Sequence, residues 1–489
     1  MSPDSPEAAR EEAVPAFSLS LVMFLACAAI IGISVIVLDV DAHIPLIAAT
    51  MLCALVGRGV LKRSWAELEE GIVNGIRIAL IPIVILMLVG LLVSSWIASG
   101  TVPTLIHLGM QGISPRFFLV ASFMICSLVA VATGSSWTTA GTVGLALMGI
   151  GGALGLPAPM TAGAIVSGAY FGDKMSPLSD TTNLAPAVAG GELFDHIRAM
   201  CWTTLPAWLL AGAVYTVMGL HDHGDLTTLT QVAEMSRVLS GHFVLGVFTL
   251  LPPVFILFAA ARKYPAIPSL VVGILIACGL AMAVQGVTLK ALIGVLHYGF
   301  ESHTGDKAVD ALLSRGGLDS MMWTISLIVC ALSFGGVMER CGFFESLLKT
   351  FQRLLRKPSS LIGTTLGSCL AANLFLGDQF LGIIVPGRTF RPAFERAGLA
   401  PRMLSRTLED AGTLTAPLIP WTSGGAYMFG ILGVSAFSYA PYALFNWMTP
   451  LIAYGMTLFG IGVFWRRPEG GITRDRPETP LQAAQNAAR

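Results

Sequence analysis

The sequence predicts an all-α integral membrane protein of two inverted-topology repeats, each of about five transmembrane helices. Each repeat is expected to carry a re-entrant, broken helical hairpin and a second broken helix. Three observations predict this. Hydrophobic residues make up 54% of the chain and charged residues 12%, with a mean hydropathy of +0.75. Many apolar stretches reach the roughly 20 residues that a hydrocarbon core of about 30 Å requires. Two pairs of polar interruptions then recur in the same order in the two halves, the pattern expected of a transporter binding site.

The chain opens with a polar, net acidic tail over 1–16. It lacks the positive n-region of a secretory signal, so the first apolar run is expected to be retained. The first repeat, 17–219, reads as crossings near 17–39, 43–57, 76–98, 160–190 and 194–219. A polar inter-repeat loop is expected over 220–241. The second repeat, 242–465, reads as crossings near 242–262, 266–284, 318–339, 404–433 and 443–465. A disordered tail is expected over 466–489. Two further apolar stretches, 116–155 and 359–387, are interrupted at mid-length and read as hairpins. Irregular backbone at membrane depth is tolerable only where it lines a cavity or is buried in protein.

The repeat rests on spacing. Pro115 precedes Gly134 by 19 positions, and Pro358 precedes Gly377 by 19. Gly100 lies 34 before Gly134, and Gly342 lies 35 before Gly377. Pro177 follows Gly134 by 43 and Pro417 follows Gly377 by 40, each followed by Leu, with Thr182 and Thr422 five positions on. Orientation follows from basic loops, which stay cytoplasmic. The loop 101–115 before the first hairpin has no Lys or Arg, whereas 341–358 carries Lys349, Arg353, Arg356 and Lys357. The exit of the first hairpin is uncharged; that of the second carries Arg388, Arg391, Arg396, Arg402 and Arg406. Matched loops therefore face opposite sides, and both termini fall in the cytoplasm.

Carboxylates are costly inside a membrane and mark ion pathways or proton relays. The ranked candidates are Asp173 and Asp180, then Asp378 and Asp410. Around them stand oxygen and amide donors: Ser135, Ser136, Thr138, Thr181, Asn183, Asn373, Thr413 and Thr415. Hard oxygen ligands suit a small cation, and the expected sodium set is Asp173, Asp180, Asn183, Ser135 and Asp378. Desolvation disfavours a charged carboxyl while a bound cation favours it, so ion and proton compete for one group. That competition is sufficient for antiport if the empty, charged site cannot reorient.

Structural roles stand beside these. Asp173 would pair with Lys174 or cap a half-helix, Asp180 would cap the following helix, Asp378 would be structural at the hairpin tip where it mirrors Ser135, and Asn373 would bond its own hairpin. Glu409-Asp410 would pair with Arg406, and Glu339 with Arg340. His221, His223 and His242 read as solvated outer-face residues, and Trp137 and Trp421 as packing residues. The eight cysteines show no CxxC or Cys/His ligand spacing and read as apolar packing. Zero net charge argues against nucleic acid. An enzyme is disfavoured: there is no HExxH, and Phe375-Leu376-Gly377-Asp378 lacks the first Gly of a GxGD protease motif. No nucleotide-binding P-loop is present. A cation channel remains the alternative of a different class.

The stretch Ser167 to Ala185 (SGAYFGDKMSPLSDTTNLA) resembles the NhaC-type sodium/proton antiporter family, part of a broader ion-transporter superfamily. So do Gly377-Asp378-Gln379 with Pro386-Gly387-Arg388, and Leu408-Glu409-Asp410 through Pro417-Leu418-Ile419-Pro420-Trp421. The resemblance spans roughly 17–465. It implies a multi-pass inner-membrane antiporter exchanging sodium for protons, with no cofactor beyond the transported ions. It also admits a sodium- or proton-coupled carboxylate exchanger of the malate/lactate kind, for which Arg388 or Arg406 would hold the anion. Sodium ions, protons and the lipid bilayer are the expected partners, with a homodimer left open.

Overall fold

The structure is a computed structural model that describes residues 15–112, 114–221, 226–354, 357–466 and 472–473. For 226–232 and 353–354 it describes the backbone only. The expected N-terminal tail up to residue 14, His223, Arg356, the Arg353 side chain and most of the C-terminal tail lie outside the described residues. The chain is a helical membrane protein. Among the described residues seven helices are long and apolar enough to span a bilayer, or eight if one bent pair counts as a span.

Among the described residues fewer stretches span unbroken than five plus five: 160–190 and 404–433 are the broken helices the sequence predicts, and others, such as His43–Gly59, are shorter than a full span. The 160–190 stretch is two helices, Ala158–Met175 and Asp180–Ala189, separated by a four-residue break containing Pro177. The 404–433 stretch runs as Pro401–Leu408, a π-helical turn Glu409–Thr413, a 3₁₀ turn Ala416–Leu418 and a helix Ser423–Leu432. The 242–262 crossing is not straight: helices 233–242 and 247–261 meet at 93° across Phe243–Gly246. The 220–241 loop is largely helical, with Leu226–His242 continuous and free of proline. Of the expected C-terminal tail only Arg466, Ile472 and Thr473 are described; Trp465–Arg466 pairs antiparallel with Ile472–Thr473.

Both expected hairpins are broken where predicted. The helix Phe118–Thr133 ends on Gly134 at φ +70°, and Pro358–Leu376 ends on Gly377 at φ +71°. Only glycine takes this left-handed conformation without strain, and it ends a helix by turning the chain out of it. The next residue caps the returning helix. Ser135 accepts the Thr138 N–H at 3.1 Å, and Asp378 accepts the Phe380 N–H at 2.8 Å. In the second hairpin the arms lie side by side, the α-carbon of Gly382 abutting the Asn373 amide; in the first, Phe118–Thr133 packs instead along Ala158–Met175, where the α-carbon of Gly168 abuts the Phe123 carbonyl.

Helices approach closely where side chains vanish. A Cβ on Gly75 would lie 2.1 Å from the Leu332 carbonyl oxygen, and one on Gly336 would lie 2.1 Å from that of Gly71. The Trp65–Ile78 and Leu318–Arg340 helices therefore meet backbone to backbone, the small-residue packing typical inside membranes. Arg340 also bonds Glu70 across this contact, at 3.2 Å, rather than its neighbour Glu339.

One loop outside the spans is organised by a single carboxylate. Asp310 accepts from the Thr304 N–H and hydroxyl, the Ser302 hydroxyl and the Gly305 N–H. The Thr304 N–H foremost, then these other donors, hold its pKa down at about 2. A depressed carboxyl stabilises the fold above its ordinary pKa and loses that effect as pH falls through the depressed value. The loop 300–316 is therefore expected to resist proteolysis at neutral pH and to become cleavable as pH falls from about 4 to about 2. Asp310→Asn should make it cleavable at pH 7, read by mass spectrometry of the fragments.

Candidate functional site

Each hairpin tip is tied to one of the broken helices by a carboxylate–hydroxyl bond. At the first tip, Ser136 donates to Asp173 Oδ2 at 2.6 Å, and Ser176 donates to the Val131 carbonyl at 2.8 Å. At the second, Ser423 donates to Asp378 Oδ2 at 2.7 Å, and its N–H reaches the Gly377 carbonyl at 2.8 Å. The roles are exchanged between the halves. The hairpin supplies the hydroxyl and the broken helix the carboxylate in one, and the reverse holds in the other. Trp421 Nε1 donates to the Leu374 carbonyl at 2.8 Å, and Trp137 stacks on Tyr427 with ring centroids 4.0 Å apart, so both tryptophans pack the tips.

A cavity of about 630 Å³ opens at the first tip. Of the predicted residues, Ser135, Thr138, Asp173, Asp180 and Thr181 line it. Ser136 stands immediately behind, bonded to Asp173. Asp378 does not line the cavity, but the next two residues, Gln379 and Phe380, do, which brings the second tip to the same place. Asp173 is only 6% exposed, whereas Asp180 is exposed at the wall and opens its helix after the Ser179 cap. An acidic residue in a first helical turn also complements the helix dipole. The cavity wall carries Lys263 and no arginine.

Asn183 is not brought to the cavity. Its amide donates to the Pro177 and Ser179 carbonyls, at 2.9 and 2.7 Å, and closes the helix break instead. Asn373 bonds the Gly412 carbonyl at 2.7 Å and the Thr415 hydroxyl at 2.9 Å, so it reaches across to the second broken helix rather than along its own hairpin. Thr413 donates to Glu409 Oε1 at 2.8 Å. Asn373, Thr413 and Thr415 are buried and belong to a second cluster that does not line the cavity.

That cluster is centred on an ion pair. Lys174 and Asp410 are fully buried and joined directly, so Lys174 does not pair with its neighbour Asp173. Thr203 donates to Asp410 Oδ1 at 2.9 Å, and Arg406 Nε lies 3.7 Å from Oδ2. Arg406 also donates to the Gly462 carbonyl at 2.7 Å. The predicted Arg406–Asp410 proximity is present, but Lys174 and Thr203 were missed as its partners. The available signal was a lysine inside an otherwise apolar segment, a residue that must be paired there. Ser423 was missed as well; it stands one position after Thr422, which the repeat spacing marked.

A family model described as the Na+/H+ antiporter family matches residues 168–461. The chain is 44% identical over 437 residues to the Na(+)/H(+) antiporter NhaC of Alkalihalophilus pseudofirmus, covering 89% of this chain and 94% of that one. It is 36% identical to the arginine/ornithine antiporter ArcD of Halobacterium salinarum, covering 97% and 96%. It is also 36% identical to the malate-2H(+)/Na(+)-lactate antiporter of Bacillus subtilis, covering 90% and 93%.

Breaking a buried ion pair from one side costs about 3–5 kcal/mol, because it strands a charge. Lys174→Met is therefore expected to lower the unfolding free energy by about that much. Adding Asp410→Asn should recover part of the loss, as measured by thermal unfolding of the purified protein in detergent.

Proposed function

The chain belongs to the Na+/H+ antiporter family, and from that premise we propose that it is a secondary antiporter in which sodium and protons compete for Asp173. Asp180 assists at the cavity wall. The observation that carries this reading is a buried carboxylate at the head of an open cavity, held by Ser136, with Ser135, Thr138 and Thr181 lining the same cavity. A sodium ion at Asp173 is stabilised by the carboxylate charge and neighbouring hydroxyl oxygens. When the ion leaves, a proton neutralises the same group. The bare carboxylate is too costly to carry through a low-dielectric interior, so only the occupied forms cross. One sodium moving one way thereby commits a proton to the other.

The architecture we infer is a pair of inverted repeats working by alternating access. The exchanged Ser136–Asp173 and Ser423–Asp378 bonds and the matched glycine breaks support it. We further infer an inner-membrane location with both termini cytoplasmic, from the basic loops. With the N-terminus cytoplasmic, the alternation of crossings puts the loop between 242–262 and 266–284 on the cytoplasmic face as well; Lys263 and Tyr264 sit in it and line the cavity, so we infer that this conformation opens toward the cytoplasm.

A second reading, sodium- or proton-coupled carboxylate exchange, is favoured by two observations. A cavity of about 630 Å³ is far larger than one sodium ion needs and falls in the range of organic-ligand sites. Lys263 offers a cation at its wall. Arg406 does not support this reading, because it is turned into the buried Asp410 cluster.

In membrane vesicles carrying a pH-sensitive dye, sodium should dequench the wild-type signal. Asp173→Asn is expected to abolish the response, and Asp180→Asn to weaken it by about tenfold or more, roughly 1.4 kcal/mol. Full activity in both single variants removes these residues from the mechanism. In proteoliposomes, exchange with sodium alone supports plain antiport. Exchange that starts only when malate, lactate or another carboxylate is supplied supports the second reading, and Lys263→Ala should then raise the half-saturating carboxylate concentration.

A further inference from the structure

We propose that the Tyr170 hydroxyl is a neutral oxygen ligand of the cation held at Asp173, an inference that rests on the antiport reading above. Four tyrosines are among the largest fully buried side chains. Three have hydrogen-bond partners: Tyr215 donates to the Tyr442 carbonyl at 2.6 Å, Tyr427 to the Trp137 carbonyl at 2.9 Å, and Tyr439 to the Pro417 carbonyl. Tyr170 is 0% exposed, and its hydroxyl has no hydrogen-bond partner among the described residues. Buried hydroxyls are nearly always satisfied, and an exception needs an explanation.

The position of this hydroxyl supplies one. Tyr170 precedes Asp173 by three residues, so both side chains lie on one face of the Ala158–Met175 helix. Its hydroxyl stands beside the Trp137 indole and beside Ser136, the residue that already bonds Asp173, and lies in the field of both Asp173 and Asp378. It also faces the α-carbon of Gly424, on the helix that carries Ser423; a Cβ there would lie 2.8 Å from the hydroxyl oxygen. The phenol oxygen, the Ser136 oxygen and the Asp173 carboxylate thus gather on the buried side of the cavity head. All three are hard oxygen donors of the kind alkali cations prefer. A phenol has two lone pairs to offer and brings no charge, so it adds affinity for a cation without changing the charge that a proton must balance.

Sodium binding by calorimetry in detergent, together with sodium-driven proton movement in proteoliposomes, tests this. Tyr170→Phe removes only the oxygen. It is expected to raise the sodium dissociation constant and the half-saturating sodium concentration by about tenfold, with the maximal rate held within about twofold. Gly424→Ala pushes the hydroxyl away while keeping it, and should move both constants in the same direction. Wild-type sodium affinity in Tyr170→Phe overturns the inference, even if its thermal stability falls, since that is the result of a packing role alone. If Tyr170→Phe does not fold, wild-type affinity in Gly424→Ala overturns it. A wild-type protein that binds sodium without moving protons removes the antiport reading instead, and the calorimetric comparison still decides the role of Tyr170.

Discussion

A carboxylate in the membrane interior must have a partner, and the arrangement of this protein follows from how each one is supplied. Asp410 is matched by Lys174 from a different broken helix, with Thr203 and Arg406 close by. Asp378 is matched by Ser423 and by the helix it caps. Asp173 has Ser136 and an open cavity. Of the three, only Asp173 combines deep burial with a wall from which an ion can arrive. Partnering by a hydroxyl leaves a carboxylate its charge, while partnering by an ammonium cancels it. Under the proposed antiport, this separates a site able to exchange its occupant from a pair that holds the structure together.

The breaks in the helices make these partnerships reachable. A continuous helix keeps its backbone groups to itself and presents side chains at fixed spacing. At Gly134 and Gly377 the chain turns out of the helix and re-enters it through a capping side chain. The hairpins therefore carry free backbone carbonyls at depth, which accept from the Ser176 hydroxyl, the Ser423 N–H and the Trp421 indole. The π-helical turn Glu409–Thr413 does similar work in the second half, where Gly412 presents its carbonyl to Asn373. π-turns of this kind are frequent at functional positions.

The two buried polar clusters share one helix. Asp173 faces the cavity, and Lys174, its neighbour, faces Asp410. Successive residues on a helix point about 100° apart, so one short segment contributes a carboxylate to the cavity on one side and a lysine to a buried ion pair on the other. The helix is thereby anchored close to where its site must remain accurate.

The sequence by itself determined the membrane class, the two hairpins with their glycine tips, the helix break around Pro177 and the candidacy of Asp173. These are local properties: hydropathy, backbone freedom at glycine, the missing N–H of proline and the cost of a charge in lipid. It did not determine which polar residues meet. Lys174 found Asp410 at a separation of 236 positions, Ser423 found Asp378 at 45, and Asn183 turned back to close its own helix break. The 93° bend near residue 245 and the helix over the supposed inter-repeat loop were likewise not legible. Only tertiary structure decided these, because partner choice depends on where distant helices cross, and many pairings are compatible with the same hydrophobic pattern.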